Sequence, residues 1–321
     1  MSLLLPNLPL ALYRLEFQHD SSLHRPPRFA ASAWRGALGH MLRHIACITG
    51  ASECEGCPRL HQCAYSYLFA TPVPPEATKL TRYPEAPHPY VLIEDNPTPG
   101  QVTLELTLFG HANSHLPLMT SALVRAAGHP RGIAGRTLQY LGMSQWNETQ
   151  ENWQPLNDAR GALDAQPPAM PVTPALPEQE LRIEFTTPLR VRRNGQHVGP
   201  DELTFADLFG NLLRRISLLT SFHTDTPLET DFRGLTHAAR EIPLLEARLR
   251  WEDLKRHSSR QHTDMALGGL VGWIRLDTTD LAPFWPYLWL GQFTHIGRAT
   301  TMGLGRYRLL AESFPEQRNA S

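Results

Sequence analysis

The sequence predicts an α+β fold made of two similar βαββαβ units, with a cysteine-rich, metal-binding insertion in the first unit. Three observations support this prediction. The order strand, helix, two strands, helix, strand occurs twice, a proline-rich stretch separates the two occurrences, and each includes a turn rich in glycine and arginine. The 321 residues, 41% of them hydrophobic, are sufficient for two cores. We therefore expect domains at residues 1–150 and 181–321, joined by a linker at 151–180.

The first unit begins at residues 12–18, which alternate apolar and polar side chains as a half-buried strand does. A helix is expected from Ser32, as its N-cap, to Ile45. Its apolar stripe consists of Trp34, Leu38, Met41 and Ile45. This phase places two arginines opposite the stripe and two histidines at its flank: Arg35, Arg43, His40 and His44. Beyond the cysteines and a proline-rich run, we expect strands at 90–93 and 102–109, a helix at 118–127 and a last strand.

The second unit repeats this order. Residues 181–185 alternate as a strand, and a helix is expected to begin near Thr204. Its apolar stripe consists of Phe205, Leu208, Phe209, Leu212, Leu213 and Ile216. The later elements are expected at 247–251 and 267–276 (strands), 283–290 (a short aromatic helix) and 307–310 (a strand). Two βαββαβ units in tandem predict a pair of ferredoxin-like, or RRM-like, sandwiches.

Charge is distributed unevenly along the chain. The net charge of −1 excludes a generally basic nucleic-acid binder, so any nucleic-acid contact must come from local segregation of charge. Three windows contain arginines and no acidic residue: 21–52, 106–147 and 281–311. They indicate phosphate-binding surfaces, or else solvated faces. No apolar run is long enough to span a membrane and the N-terminus does not resemble a signal peptide, so we expect a cytoplasmic protein.

The four cysteines lie in one short window: Cys47, Cys54, Cys57 and Cys63. The inner pair has two intervening residues and is followed by proline, a spacing typical of two thiolates that bind one tetrahedral metal ion. Structural zinc is the first prediction. An iron–sulfur cluster also takes four thiolates and stays open as an alternative, and so does a segment without metal. Because sulfur would fill all four positions, the metal would stabilise the fold rather than catalyse a reaction.

Two turns combine glycine and arginine and run into strand-like segments, at 129–138 and 295–307. Glycine permits positive φ and close approach of a ligand, and free N–H and guanidinium groups suit phosphate. Arg256 and Arg260 flank two serines in an acid-free segment and suggest the same role, or else solvated charges paired with Glu252 or Asp253. The expected nucleic-acid contacts are Arg35, Arg43, Arg131, Arg136, Arg256, Arg260, Gly297, Arg298, Gly303, Gly305 and Arg306.

Several short motifs occur in an order and at a spacing that resemble those of a known family, and they extend over nearly the whole chain. They are Arg35-Gly36-Ala37-Leu38-Gly39, residues 63–69, Leu108-Phe109-Gly110, residues 132–135, Thr187-Pro188-Leu189, residues 256–261, Leu267-Gly268-Gly269, and residues 295–298 with 303–305. The family is the CRISPR-associated endoribonucleases that process pre-crRNA, the sixth-numbered Cas protein of the RAMP superfamily. The cysteine window resembles that of its cysteine-bearing branch.

The resemblance implies a C-terminal glycine-rich loop that contacts RNA and cleavage of CRISPR repeat transcripts without a catalytic metal. The ribose 2′-OH attacks the phosphorus and leaves a 2′,3′-cyclic phosphate, so the protein needs only to transfer protons and stabilise charge. The family's catalytic histidine often lies on or just after the first helix, which points to His40 or His44. Tyr13 is a candidate assistant, or else a core aromatic. His295 is a candidate for catalysis or phosphate binding, or else a residue that holds its turn.

Three functions remain open from the sequence. The first is an endoribonuclease that cuts CRISPR repeat RNA and keeps the crRNA product. The second is a catalytically inactive relative that serves as an RNA-binding subunit of a CRISPR effector complex with other Cas subunits. The third is a zinc-stabilised protein interaction module without an RNA ligand. We expect no membrane association in any of the three.

Overall fold

The computed structural model describes residues 6–19, 30–51, 53–80, 85–156, 163–178, 180–258 and 263–312. The first unit forms a five-stranded antiparallel sheet in the order β2-β3-β1-β4-β5. Its elements are β1 (Leu10–Gln18), α1 (Ala31–Ala46), β2 (Tyr90–Asp95), β3 (Gln101–Phe109), α2 (Leu116–Gly128), β4 (Gln139–Asn147) and β5 (Asn152–Pro155).

The second unit forms a four-stranded antiparallel sheet in the order β13-β6-β12-β9. Its elements are β6 (Glu180–Leu189), β7 (Arg192–Arg193), β8 (Gln196–His197), α3 (Phe205–His223), α4 (Phe232–Ala238), β9 (Glu246–Glu252), β10 (Lys255–Ser258), β11 (Thr263–Ala266), β12 (Gly269–Leu276), α5 (Trp285–Thr294) and β13 (Tyr307–Glu312). In the first sheet, β1 lies between β3 and β4, and β2 lies beyond β3. In the second sheet, β6 lies in the same way between β12 and β13, and β9 lies beyond β12. The prediction of an α+β fold with tandem ferredoxin-like units is confirmed.

The two long first helices begin differently. At α3, Thr204 accepts a hydrogen bond from the Asp207 amide and the Asp207 carboxylate accepts one from the Thr204 amide, so the start predicted near Thr204 is confirmed. At α1 the prediction that Ser32 is the N-cap is wrong. The helix begins at Ala31 after Ala30, which provides no side-chain cap, and Ser32 is buried within the first turn.

The stretch expected to be a linker, 151–180, is more structured than its composition indicated. Its first residues form β5, which pairs with β4, and Ala169 pairs with Leu10 at the start of β1. The Trp153 ring contacts Trp146 on the neighbouring strand and lies 4.1 Å from the Arg14 guanidinium. These contacts keep much of the segment on the first sheet.

The two faces of the first sheet belong to different cores. Alternation along β1 directs Tyr13, Leu15 and Phe17 into the core beneath the helices of the first unit. Leu10, on the opposite face, belongs to the core of the second unit, and so do Val91 and Phe109. The second unit therefore packs against part of the open face of the first sheet.

The segment that follows α1 folds back over the helix. Within it, a π-helical turn at Ser66–Ala70 places the Phe69 ring directly on Gly39, where an added Cβ would lie 2.2 Å from the ring. The Arg35 guanidinium stacks on the same ring at 4.5 Å. The face of α1 expected to be free is thus partly covered. No helix in the described ranges has both the length and the apolar character needed to cross a membrane.

Candidate nucleic-acid interface

The glycine-rich loop, residues 295–306, lies where the two units meet. It follows α5, whose last carbonyl, at Thr294, accepts a 2.6 Å hydrogen bond from Nε of the buried Arg215. A Cβ added at Gly303 would lie 2.9 Å from the Leu92 carbonyl oxygen and 3.3 Å from the Ala31 Cβ. The loop therefore rests on β2 and on the N-terminal end of α1.

Glycine is required in this loop for backbone reasons that do not depend on a ligand. Gly305 has φ +73°, and a Cβ there would lie 1.8 Å from the Ile296 carbonyl oxygen. The chain crosses itself at this point, because the Ile296 amide donates to the Gly305 carbonyl at 3.0 Å. The loop is a closed turn whose shape is set before any ligand binds.

His295 helps to close that turn from inside. Its side chain is buried, and Nδ1 donates to the Leu304 carbonyl at 3.0 Å. Burial, reinforced by the Arg306 charge, lowers the pKa of His295 to about 3 and keeps the ring neutral. The enclosed ring and this hydrogen bond favour the interpretation that His295 holds the turn.

The arginines of the loop differ in their surroundings. Arg298 is exposed, whereas Arg306 donates to Glu105 on β3 at 3.1 Å. The same carboxylate accepts a 2.8 Å bond from Arg14 on β1. Glu105 therefore links the glycine-rich loop of the second unit to the sheet of the first.

Arg136, expected to contact nucleic acid, is a structural residue. Its Nη2 donates to both carboxylate oxygens of Glu94, at 2.9 and 2.8 Å, and both side chains are about 1% exposed. The indole of Trp34 donates to the same carboxylate at 2.6 Å. This correction does not apply to Arg131, which lies exposed in the same turn.

The arginines of α1 are also engaged within the protein. Besides stacking on Phe69, Arg35 lies with Nη2 3.1 Å from Nε2 of His88. Arg43 donates to the Ala51 carbonyl and so holds the start of the cysteine segment. Both side chains retain partial exposure. Arg260 lies outside the described residues, and so does the side chain of Arg256.

The candidate catalytic residues are separated by the packing of the first unit. Tyr13 is buried in the core, where its hydroxyl donates to Asn113 at 3.1 Å and burial raises its pKa. His40 and His44 are exposed on α1. With a rise of 1.5 Å per residue, they lie about 14 and about 20 Å along the helix from Ala31, which the glycine-rich loop contacts. His40 is therefore the nearer of the two to the loop.

All four cysteines line one cavity of about 150 Å³. The Thr49 hydroxyl lies between two of the thiols, 3.7 Å from Cys47 and 3.8 Å from Cys57. Four thiols around one cavity match the donor set of structural zinc. Within the described ranges, however, no three His, Cys, Asp or Glu side chains are arranged to hold a metal ion. The thiols share the cavity without meeting at one point, so the metal site stays a prediction.

One basic group was missed from the sequence. Arg190 and Arg192 follow β6 and lie beside the glycine-rich loop, because the Arg190 carbonyl accepts a 3.0 Å bond from the Arg298 amide. Residues 185–200 contain arginines and no acidic residue, as the three predicted windows do. The signal was present in the sequence as the basic run Arg190-Val191-Arg192-Arg193.

Two buried histidines, His223 and His295, and the half-buried His88 predict that acid destabilises the fold. Burial is the first cause of the lowered pKa of His88, to about 3, of His223, to about 4, and of His295, to about 3. In the unfolded chain they titrate near 6.5, so the unfolded state binds more protons below that pH. The free energy of unfolding is therefore expected to fall as the pH drops from about 6.5 toward 4.

The measurement is urea unfolding at a series of pH values for the wild type and for His223→Gln. The variant lacks the one proton that His223 takes up on unfolding. The slope of its free energy of unfolding against pH should therefore be shallower by up to about 1.4 kcal/mol per pH unit, between the folded and unfolded pKa values of His223. His237→Gln, on the exposed side of α4, is the matched control and should keep the wild-type slope. Identical slopes for wild type and His223→Gln would contradict the prediction.

Comparison with protein families finds two matches that together cover both units. A model described as CRISPR-associated endoribonuclease Cas6 matches residues 183–307, and a model described only as an N-terminal domain matches residues 8–167. No curated protein matches the chain significantly.

Solved structures similar to this chain include two Cas6 product complexes. One is 16% identical, with a TM-score of 0.55, and the match covers 94% of this chain and 99% of that one. The other is 17% identical, with a TM-score of 0.53 and coverage of 96% and 100%. A chain of a partial Cas6-RT-Cas1–Cas2 complex is 13% identical with a TM-score of 0.56, and the match covers 96% of this chain and 47% of that one. At these identities the neighbours establish the shared tandem fold.

Proposed function

We propose that this chain, whose residues 183–307 match the model described as CRISPR-associated endoribonuclease Cas6, belongs to that family and binds and cleaves CRISPR repeat RNA to process pre-crRNA. The observation that carries the proposal is the placement of the glycine-rich loop. It lies against the N-terminal end of the helix that bears two exposed histidines. An RNA strand that runs from the loop along α1 would bring a later phosphate to His40, about 14 Å along the helix from Ala31.

The chemistry that suits this arrangement uses a nucleophile from the RNA. The 2′-OH before the cut loses its proton and attacks phosphorus, the bond to the 5′ oxygen breaks, and that oxygen takes up a proton. The products are a 2′,3′-cyclic phosphate and a 5′-OH. We assign proton transfer to His40, with His44 as the alternative, and stabilisation of the phosphorane charge to exposed cations such as Arg298. No metal is needed for these steps.

Further parts of the proposal concern metal, partners and location. Cys47, Cys54, Cys57 and Cys63 would bind one structural zinc ion after modest rotation of their side chains around the shared cavity. Elemental analysis should then find about one zinc per chain, and less in Cys54→Ser/Cys57→Ser. The protein would act in the cytoplasm, retain the crRNA and pass it to other Cas subunits. A neighbour's complex with Cas1 and Cas2 supports such partners.

The function is tested by incubating purified protein with its repeat RNA in EDTA. Cleavage with a 2′,3′-cyclic phosphate end is expected, and a 2′-deoxy nucleotide before the cut should abolish it. Tight binding without a cut would instead select the inactive RNA-binding subunit. Absence of both binding and cleavage would overturn the RNA function and leave the interaction module.

A further inference from the structure

Three arginines converge beside the glycine-rich loop, at the end of β6. Arg190 and Gly297 form a parallel bridge, and a Cβ at Gly297 would lie 2.4 Å from the Arg190 carbonyl oxygen. This close backbone contact brings Arg298 next to Arg190. Arg192 lies two residues further along an extended chain, so it projects to the same side as Arg190. The convergence is therefore built into the backbone.

The positive charges of this group lack nearby acidic partners. Within the described part of the chain, the side chains of Arg192 and Arg298 make no ion pair. The pKa of Arg190 is lowered first by burial and then by the charges of Arg192 and Arg298. Its Nη2 lies 3.3 Å from Nε2 of His197, and its Nε is buried without a hydrogen-bond partner. An anion placed here would relieve the repulsion and supply an acceptor.

Two carboxylates of this region have other partners. Asp207 is paired with Arg193, which follows Arg192 and points to the opposite side of the chain. Asp253 accepts a 3.0 Å hydrogen bond from the Trp251 indole. In the described part of the chain, neither forms an ion pair with Arg190, Arg192 or Arg298.

An aromatic ring borders the same group. Trp251 on β9 packs edge to face against His197, with ring centroids 5.8 Å apart, and 36% of its surface remains exposed. The hydrogen bond to Asp253 fixes the orientation of the indole. Guanidinium groups beside a partly exposed, oriented aromatic ring are the combination that binds single-stranded nucleic acid, with phosphates on the cations and a base on the ring.

We propose that Arg190, Arg192, Arg298 and Trp251 form a subsite for a single-stranded segment of the bound RNA. The inference rests on the proposed function, because it assigns a second place on the same ligand. The two arginines after β6 bind consecutive phosphates and Trp251 stacks on a neighbouring base. Arg190, Arg192 and Trp251 add affinity without taking part in the cleavage step.

The test measures binding of a fluorescently labelled single-stranded repeat RNA at several salt concentrations. Arg190→Gln/Arg192→Gln should weaken binding by about tenfold, and the slope of log affinity against log salt should fall by about 1.4, the value for two single-strand phosphates. Trp251→Ala should weaken binding by between about fivefold and about 150-fold. Arg190→Lys/Arg192→Lys retains the charge and should keep the wild-type slope.

Arg233→Gln/Arg240→Gln, exposed on and just after α4, removes the same charge and is the matched control. Arg192→Gln alone changes one exposed side chain. Its effect on RNA affinity therefore tests the subsite even if the double variant folds poorly. Unchanged affinity and slope for the Arg192 and Trp251 variants, with a wild type that binds RNA, would overturn the subsite and leave the proposed function. An equal loss in the control would also overturn it. A wild type that binds no RNA would overturn both.

Discussion

Replacing His40 by alanine is expected to slow cleavage of repeat RNA by about 10²- to 10⁴-fold, the loss typical of removing a general acid or base. RNA affinity should not change, since one exposed imidazole ring contributes little to phosphate binding. Two of the other three candidates are enclosed: Tyr13 lies in the first core and His295 inside the glycine-rich loop. Single-turnover cleavage with protein in excess measures the chemical step separately from product release.

Two variants make this result specific to His40. His44→Ala changes the same residue type one turn further from the loop and should cost less activity. His237→Ala, exposed on α4, should cost none. A larger loss for His44→Ala would move the assignment one turn along α1. Wild-type rates for both α1 variants would exclude this helix as the source of the catalytic histidine.

Replacing Arg136 by methionine is expected to lower the free energy of unfolding by about 3–5 kcal/mol, because it leaves the Glu94 carboxylate buried with its charge uncompensated. The indole of Trp34 still donates one hydrogen bond to that carboxylate, which cannot replace the lost charge. Urea unfolding monitored by circular dichroism measures the change.

Arg131→Met is the matched control, since it removes an exposed arginine from the same turn and should change stability by less than about 0.5 kcal/mol. Glu94→Leu/Arg136→Met removes both charges and should recover much of the lost stability. Equal stability of the Arg136 and Arg131 variants would refute the role of the buried pair. A variant that replaces the arginines of both glycine turns, including Arg136, would lose RNA binding because it unfolds. It is therefore unsuitable as a test of RNA contact.

The elements predicted most accurately are those that depend on local sequence signals. The capping box at Thr204 and Asp207 involves residues three apart, and the alternation along β1 follows from the pleat of a single strand. The predicted start of α1 was wrong by two residues because Ser32 resembles an N-cap and is instead buried within the first turn. Patterns of this kind involve residues close together in the sequence, so the sequence alone contains them.

The candidate site was predicted less completely, for a reason that Arg131 and Arg136 illustrate. Both are arginines of one glycine turn, and the sequence assigns them the same role. Only the approach of Glu94, 42 residues away along the chain, makes one a buried structural residue and leaves the other exposed. The same holds for His295, whose role depends on the Leu304 carbonyl nine residues later.

By itself, the sequence determined the two repeated units, their strand and helix order and the glycine-rich turn, because these depend on periodicity and on backbone freedom within short stretches. Tertiary structure alone decided which charged and aromatic groups face solvent. It packed the second unit on the first sheet, covered Arg35 with Phe69 and brought Arg190 beside Arg298. Burial and ion pairing are properties of surfaces that meet in space, and residues far apart in the chain supply the two halves of each contact.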